Sequence, residues 1–268
     1  MSTLNVAGRA IPLKVAAIIP ARMSSTRFPG KPLVKILGLE MIEHVRRRVE
    51  RIPGLSHVIV ATCEQEIVDL VEKNGGKAVM TSDKHERACD RIEEAARNLD
   101  ADIVINVQGD EPMVSAEAIE ELIAPFRAQP DVQCTNLVYR VLDFSELTSD
   151  NVVKVALSKT GKILYFSRLG LPGRKVEKDF PYFKQSGIMA FRKDFLHKFT
   201  ALAPTPLEEK ESVDLLRLLE HDYPVQAVIS KHETKGIDVP SQVAEVEKAI
   251  LEDPAQKKIF NEICNEKR

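Results

Sequence analysis

The sequence predicts an α/β protein with a doubly wound, mainly parallel sheet and an antiparallel insertion. Short apolar runs alternate with amphipathic helical patterns through the first half of the chain, as expected for parallel strands joined by helices. The clearest buried strand is 103–107 (IVINV). Beyond about Pro130 the alternation gives way to consecutive extended segments.

The elements follow in chain order. Residues 15–20 (VAAIIP) form an apolar run closed by Pro20 and a polar, glycine-containing loop, which suits a buried parallel strand. Residues 41–52 carry apolar side chains at helical spacing with arginines on the other face. The run 57–61 (HVIVA) reads as a second strand, 67–73 as a helix stopping at Gly75-Gly76, and 78–81 as a third strand. In 88–98, Ile92, Ala95 and Ala96 mark the inward face of a helix, and 115–127 is a helix capped by Ser115. Segments 135–141, 152–157 and 163–167 are extended, with a turn at Thr160-Gly161. With 181–191 they make an antiparallel insertion over about 135–191. Helices at 193–200 and 209–220, a strand at 225–229, a loop ending in Gly236-Ile237-Asp238 and a helix at 240–251 complete the order. The expected organisation is one domain over 15–252, an N-terminal arm 1–14 and a C-terminal tail 253–268.

Composition narrows the function. At 268 residues the chain can bury a substantial core without disulfide support. Charged residues are 29% with a formal net charge of −2, which argues against a general nucleic-acid binder but leaves room for a local basic pocket. Cys63, Cys89, Cys134 and Cys264 are far apart and form no CxxC pair, so reduced thiols are the simpler reading than a zinc site or disulfide framework. No apolar run approaches the roughly 20 residues that span a bilayer, and 1–14 lacks the apolar stretch of a secretory signal. A cytoplasmic protein without membrane or nucleic-acid partners is expected.

Two regions carry chemistry. The loop 20–32 follows the first strand and concentrates Arg22, Ser24, Arg27, Gly30 and Lys31. A triphosphate calls for this combination of exposed backbone N–H groups and cations. The Walker A and dinucleotide glycine spacings are both absent. A solvated basic loop is the plain alternative, and the position directly after a buried strand makes it the weaker one. The second region pairs Asp110, just past the strand 103–107, with Asp238 beside Gly236. The carboxyl ends of parallel strands face the ligand crevice, and two carboxylates there can hold Mg²⁺ against phosphates. Each aspartate alone could be a turn residue; their joint placement with the basic loop raises both.

The segments IIPARMSSTRFPGKPL, VIVAT, GGKAVMTS and VINVQGDEPMV, with later NVVKVALSKTGKILYFSR, SGIMAFRKDFL, PLEEKESVDLLRLLE and GIDVPSQVAEVEK, resemble the 3-deoxy-manno-octulosonate (Kdo) cytidylyltransferases. The resemblance runs from about Val15 to about Glu252. It implies a Rossmann-like nucleotidyltransferase fold, a homodimer built on the insertion, and transfer of CMP from CTP to the hydroxyl of a sugar acid with release of pyrophosphate. By motif position it implies that Arg22, Arg27 and Lys31 bind the triphosphate and that Gln108 lies near the base or the acceptor. It further implies that Asp110 and Asp238 hold Mg²⁺ and that Arg168 meets the acceptor's carboxylate.

The sequence also departs from that family. The usual Ser-Gly-Thr of the base loop is Arg87-Ala88-Cys89. On the acceptor side, Gln185 stands for the usual histidine, Met189 for a tyrosine, and Asp214-Leu215 for a Glu-Gln pair. A site that loses polar partners for hydroxyls discriminates against them, so Kdo is expected to be a poor acceptor and another anion, such as a phosphonate, is an alternative. A non-catalytic nucleotide-binding protein is the alternative of another class; retention of both aspartates and the whole basic loop argues against it. Of the remaining features, 43–51 reads as a solvated charged helix face, His44 as a surface or cap residue, and Cys89 as a small, partly buried one.

Overall fold

The computed structural model describes residues 13–25, 27–173 and 176–265. Most of the expected N-terminal arm therefore lies outside the described residues. In chain order the elements are β1 (Val15–Pro20), β2 (Lys35–Ile36), β3 (Leu39–Glu40), α1 (Met41–Glu50), β4 (Leu55–Thr62), α2 (Gln65–Lys73), β5 (Ala78–Met80), α3 (Ala88–Ala96), β6 (Ile103–Asn106) and α4 (Ala116–Ala128). They continue with β7 (Cys134–Arg140), β8 (Lys154–Leu157), β9 (Ile163–Ser167), β10 (Phe183–Arg192), α5 (Lys193–Thr200), α6 (Pro206–Glu211), α7 (Leu215–Glu220), β11 (Gln226–Ser230), α8 (Gln242–Glu252) and α9 (Pro254–Asn265).

The chain divides into two compact units, which do not follow the limits 135 and 191 read from the sequence. One is Lys14–Glu117 together with the chain from Thr234 onward; the other is Ala118–Glu233. In the first, β6, β1, β4 and β5 pair in that order, all parallel. Ala16 to Ile19 of β1 and Ile103 to Ile105 of β6 are fully buried. A strand covered on both faces needs such unbroken apolar runs, which is why these two were legible.

Helix α1 differs from the expected solvated face. Glu43, His44, Arg46 and Arg48 are all buried. Arg46 donates to Glu43 and Glu50, and Arg47 donates to Glu43 Oε2, Asn74 Oδ1 and Ile263 O at 2.8 Å each. A Cβ on Gly76 would stand 2.6 Å from Arg46 Cδ, so the glycine pair after α2 makes room for this guanidinium as well as ending the helix. The expected tail is helical: α9 packs on α1 through Arg51–Glu262 at 2.5 Å and Arg48–Gln256 at 2.8 Å. His44 is not a surface residue either. It stacks on Phe260 with ring centroids 5.5 Å apart and binds Ile36 O at 2.8 Å.

In the second unit β10 pairs antiparallel with β7 and β8, and β8 with β9, as the sequence predicts for the insertion; β11 runs parallel to β7. The single helix expected over 209–220 is two. A capping box between Thr205 and Glu208 starts α6 three residues earlier than expected, and Ser212 at φ 53° breaks the chain into the left-handed region before α7.

Candidate active site

The loop that leaves β1 is held through its backbone N–H groups. The N–H of Ala21 donates to Ala61 O (2.9 Å), those of Ser25 and Gly30 to Met23 O (3.0 Å each), and that of Met23 to Glu64 Oε1 (3.1 Å). The loop closes in a 3-10 turn, Lys31–Leu33, which leaves the Lys31 side chain only 13% exposed. Asp110 comes from the turn after β6, where Glu111 N–H donates to Gln108 O (3.1 Å). Asp238 comes from the segment before α8, and Ile237 N–H donates to Asp110 O (2.9 Å). Both carboxylates converge on one ammonium: Lys31 Nζ contacts Asp110 Oδ2 and lies 3.7 Å from Asp238 Oδ1. Arg27 Nη2 lies 2.9 Å from the same Asp238 oxygen.

These groups face a cavity of about 310 Å³. Arg22, Ser24, Arg27 and Lys31 line it from the loop, Gln108 and Asp110 from the turn, and Asp238 and Arg87 from their own segments. Every predicted nucleotide-side and metal-side residue is thereby brought to one place. Arg91 lines it too and was not among the predicted binders. It lies one turn into α3, four residues after the N-cap Arg87, and that spacing was the available signal. Arg91 donates to Thr81 Oγ1 and Cys63 Sγ. Cationic side chains outnumber Glu86, Asp110 and Asp238 in the lining, so the cavity favours a polyanion. At its rim His85 pairs with Glu94, whose carboxyl is held below the usual range by the Ser82 N–H and then by His85. Cys89 is buried rather than only partly so.

Glu111 was also missed. Its neighbour Asp110 took the attention, and nothing in the local sequence shows that Thr234 Oγ1 donates to its Oε2 at 2.5 Å. Burial pushes its carboxyl up to about 7, helped by the charges of Asp110 and Asp238 and opposed by Thr234 and Lys31. Among the described residues no three His, Cys, Asp or Glu side chains form a metal-holding group. Asp110 and Asp238 offer two carboxylates to the cavity, a donor type that suits a hard cation taking its remaining ligands from phosphate and water.

The four predicted acceptor residues belong to the unit Ala118–Glu233 and none lines the cavity above. Arg168 is engaged with backbone: Nε donates to Glu211 O (2.7 Å), Nη1 to Asp150 O (2.8 Å) and Nη2 to Ser212 O (3.5 Å). Three of its five N–H groups are thus directed at backbone carbonyls. Lys154, fully buried, donates to Ser149 O, Val152 O and Arg168 O and ties the Arg168 backbone to the same loop. Gln185 is half-buried in β10, Met189 is buried, and Asp214 precedes α7, where Leu215 is fully buried.

Comparison with known proteins is consistent with this geometry. Residues 16–229 match the family model described as cytidylyltransferase. The chain is 40% identical over 245 residues to a 3-deoxy-manno-octulosonate cytidylyltransferase of Geobacter metallireducens, covering 87% of this chain and 96% of the relative. It is 40% identical over 242 residues to the enzyme of that name from Syntrophus aciditrophicus, covering 89% and 98%. A solved structure of CMP:2-keto-3-deoxy-manno-octonic acid synthetase complexed with CTP superposes with a TM-score of 0.84 at 34% identity, covering 89% of this chain and 98% of that one.

Proposed function

The chain belongs to the cytidylyltransferase family, and we propose that it transfers CMP from CTP to an anionic sugar acid of the Kdo class. The observation that carries this reading is the convergence of Asp110 and Asp238 on Lys31 in a cavity also lined by Arg22 and Arg27. An acceptor hydroxyl oxygen attacks the α-phosphorus in line; the new P–O bond forms as the bond to pyrophosphate breaks, and the hydroxyl proton passes to water. Arg22, Arg27 and Lys31 bind the phosphate oxygens and the departing pyrophosphate, and fixed charges of this kind stabilise developing negative charge without reorganisation. Gln108 and Arg87 lie against the nucleotide. Asp110 and Asp238 would hold Mg²⁺, which would supply positive charge against the phosphates.

A second reading, a different acid such as a phosphonate, is favoured by the acceptor side: Met189 is 6% exposed and Leu215 fully buried, so neither offers a hydrogen bond to a sugar hydroxyl. In both readings Arg168 attracts the acceptor's anion. The reading includes a homodimer through the antiparallel segment, where Leu142, Leu164 and Leu169 are 77%, 61% and 71% exposed. No helix among the described residues is long and apolar enough to cross a membrane; the reading places the enzyme in the cytoplasm, with its nucleotide. The deciding experiment is pyrophosphate release with CTP, UTP, ATP and GTP against Kdo and a panel of acids, together with the mass of the particle in solution. Release with CTP ahead of UTP supports the assignment; equal rates with the two remove the base assignment, and a monomer at micromolar concentration removes the dimer.

A further inference from the structure

The two carboxylates proposed to hold the metal reach the cavity on separate segments, about 130 residues apart in the chain. Two crosslinks join the segments that carry them. One is backbone: Ile237 N–H to Asp110 O at 2.9 Å. The other is between side chains: Thr234 Oγ1 to Glu111 Oε2 at 2.5 Å. The two segments run side by side, since a Cβ on Gly236 would lie in ordinary contact with Asp110 O (3.5 Å) and the Glu111 carboxyl (3.6 Å). Thr234 is buried, and Glu111 is not among the residues lining the cavity. Glu111 also completes no three-residue metal cluster with Asp110 and Asp238 among the described residues.

We propose that Glu111 is a positioning residue which, through Thr234, holds the Asp238 segment at the spacing from Asp110 that one divalent cation requires. This inference rests on the metal-binding reading above. The physical argument is that an ammonium tolerates loose partners, whereas Mg²⁺ demands near-ideal geometry at short range. A pair of carboxylates on independent segments meets that demand only if the segments are locked to each other. Groups that orient ligands without touching the metal have affinity effects of about 10- to 100-fold when removed.

The test uses the full chain, with Mn²⁺ titrated in the presence of CTP and free metal followed by electron paramagnetic resonance. Metal-free CTP binding, kcat and Tm are measured alongside. Glu111→Ala is expected to weaken Mn²⁺ binding about tenfold, with metal-free CTP binding held within about twofold and turnover recovering as Mn²⁺ is raised. Thr234→Val, which removes only the hydroxyl, is expected to weaken it roughly fivefold, as loss of one hydrogen bond would. Glu111→Gln, which keeps an oxygen for Thr234, is expected to restore most of what alanine loses. Unchanged Mn²⁺ affinity in both Glu111→Ala and Thr234→Val overturns the proposal. So does a Gln variant as weak as Ala, which would make charge rather than position the cause, and so does an equal fall in metal-free CTP binding and metal affinity, which would make the role merely structural. Failure of the unaltered protein to bind Mn²⁺ with CTP would remove the metal-site reading itself, an outcome distinguishable from failure of the variants to differ.

Discussion

A Cβ on Gly109 would stand 2.7 Å from the carbonyl oxygen of Pro20. The loops that leave β6 and β1 therefore meet only because residue 109 has no side chain. Both sides of the contact are backbone, so neither can swing aside. The consequence reaches Asp110 and Lys31, which these two loops present to each other. Gly109→Ala should lower kcat by at least about a hundredfold, the scale expected for a displacement of about 1 Å at a reacting centre. It should also cost roughly 1–3 kcal/mol of stability through overpacking. Steady-state kinetics and urea unfolding check both, and near-normal turnover would show that the loops yield.

Asp110→Ala and Asp238→Ala should each abolish pyrophosphate release. Their effects on stability should differ. The Asp238 side chain is 46% exposed, so its loss should cost under about 0.5 kcal/mol. Asp110 is 30% exposed and pairs with a Lys31 side chain that is 13% exposed, so its loss should cost up to roughly 1 kcal/mol. Calorimetry beside the activity assay separates the two effects; residual turnover near the unaltered rate would remove that aspartate from the metal site.

His44 should make the fold acid-sensitive. Its Nε2–H donates to Ile36 O, while Nδ1 is buried without a partner, so protonation would place an N–H where nothing accepts it. Burial pushes its pKa down to about 4, with Arg48 and Arg47 adding to the effect and the Ile36 carbonyl and Glu247 opposing it. The unfolded chain takes up this proton near 6.5 and the folded chain does not, so between the two values the unfolded state binds more protons and stability rises with pH. This contribution is complete above pH 6.5 and is lost as pH falls from there through 4. Its full size is on the order of 3 kcal/mol. Urea midpoints at pH 7, 5 and 4 should show a steeper fall for the unaltered chain than for His44→Gln; parallel curves would locate the acid sensitivity elsewhere.

Acceptor choice should differ from that of a relative that keeps all the polar side chains. Met189 and Leu215 are buried and apolar, and losing two or three hydrogen bonds to hydroxyls lowers kcat/KM by on the order of a hundredfold. Kdo should therefore fall behind an acid with fewer or altered hydroxyls, while neutral analogues stay inactive because Arg168 selects for anions. Comparing kcat/KM for Kdo with deoxy, amino and phosphonate analogues checks this; Kdo turnover equal to that of such a relative would restore the plain family assignment.

Much of this protein was legible in its residues because the signals are local. The runs 15–20 and 103–107 are apolar without a break, and a strand covered on both faces permits nothing else. The loop 20–32 and Gly109-Asp110 follow the ends of β1 and β6, which winding alone brings to one side of a parallel sheet, and Asp238 carries a similar glycine-near-carboxylate signal. From that, the cavity residues Arg22, Lys31, Asp110 and Asp238 could be named before any coordinates. The tertiary structure decided what depends on partners distant in the chain. Arg46 and Arg47 look like a solvated stripe until Asn74 and Ile263 supply acceptors and α9 covers them. The break at Ser212 between α6 and α7 is set by a backbone conformation that no propensity announces. Glu111 acquires its role only because Thr234, 123 residues away, donates to it. Local chemistry is written in spacing and residue type, whereas the satisfaction of buried polar groups is a property of the folded chain, because only folding brings each donor to its acceptor.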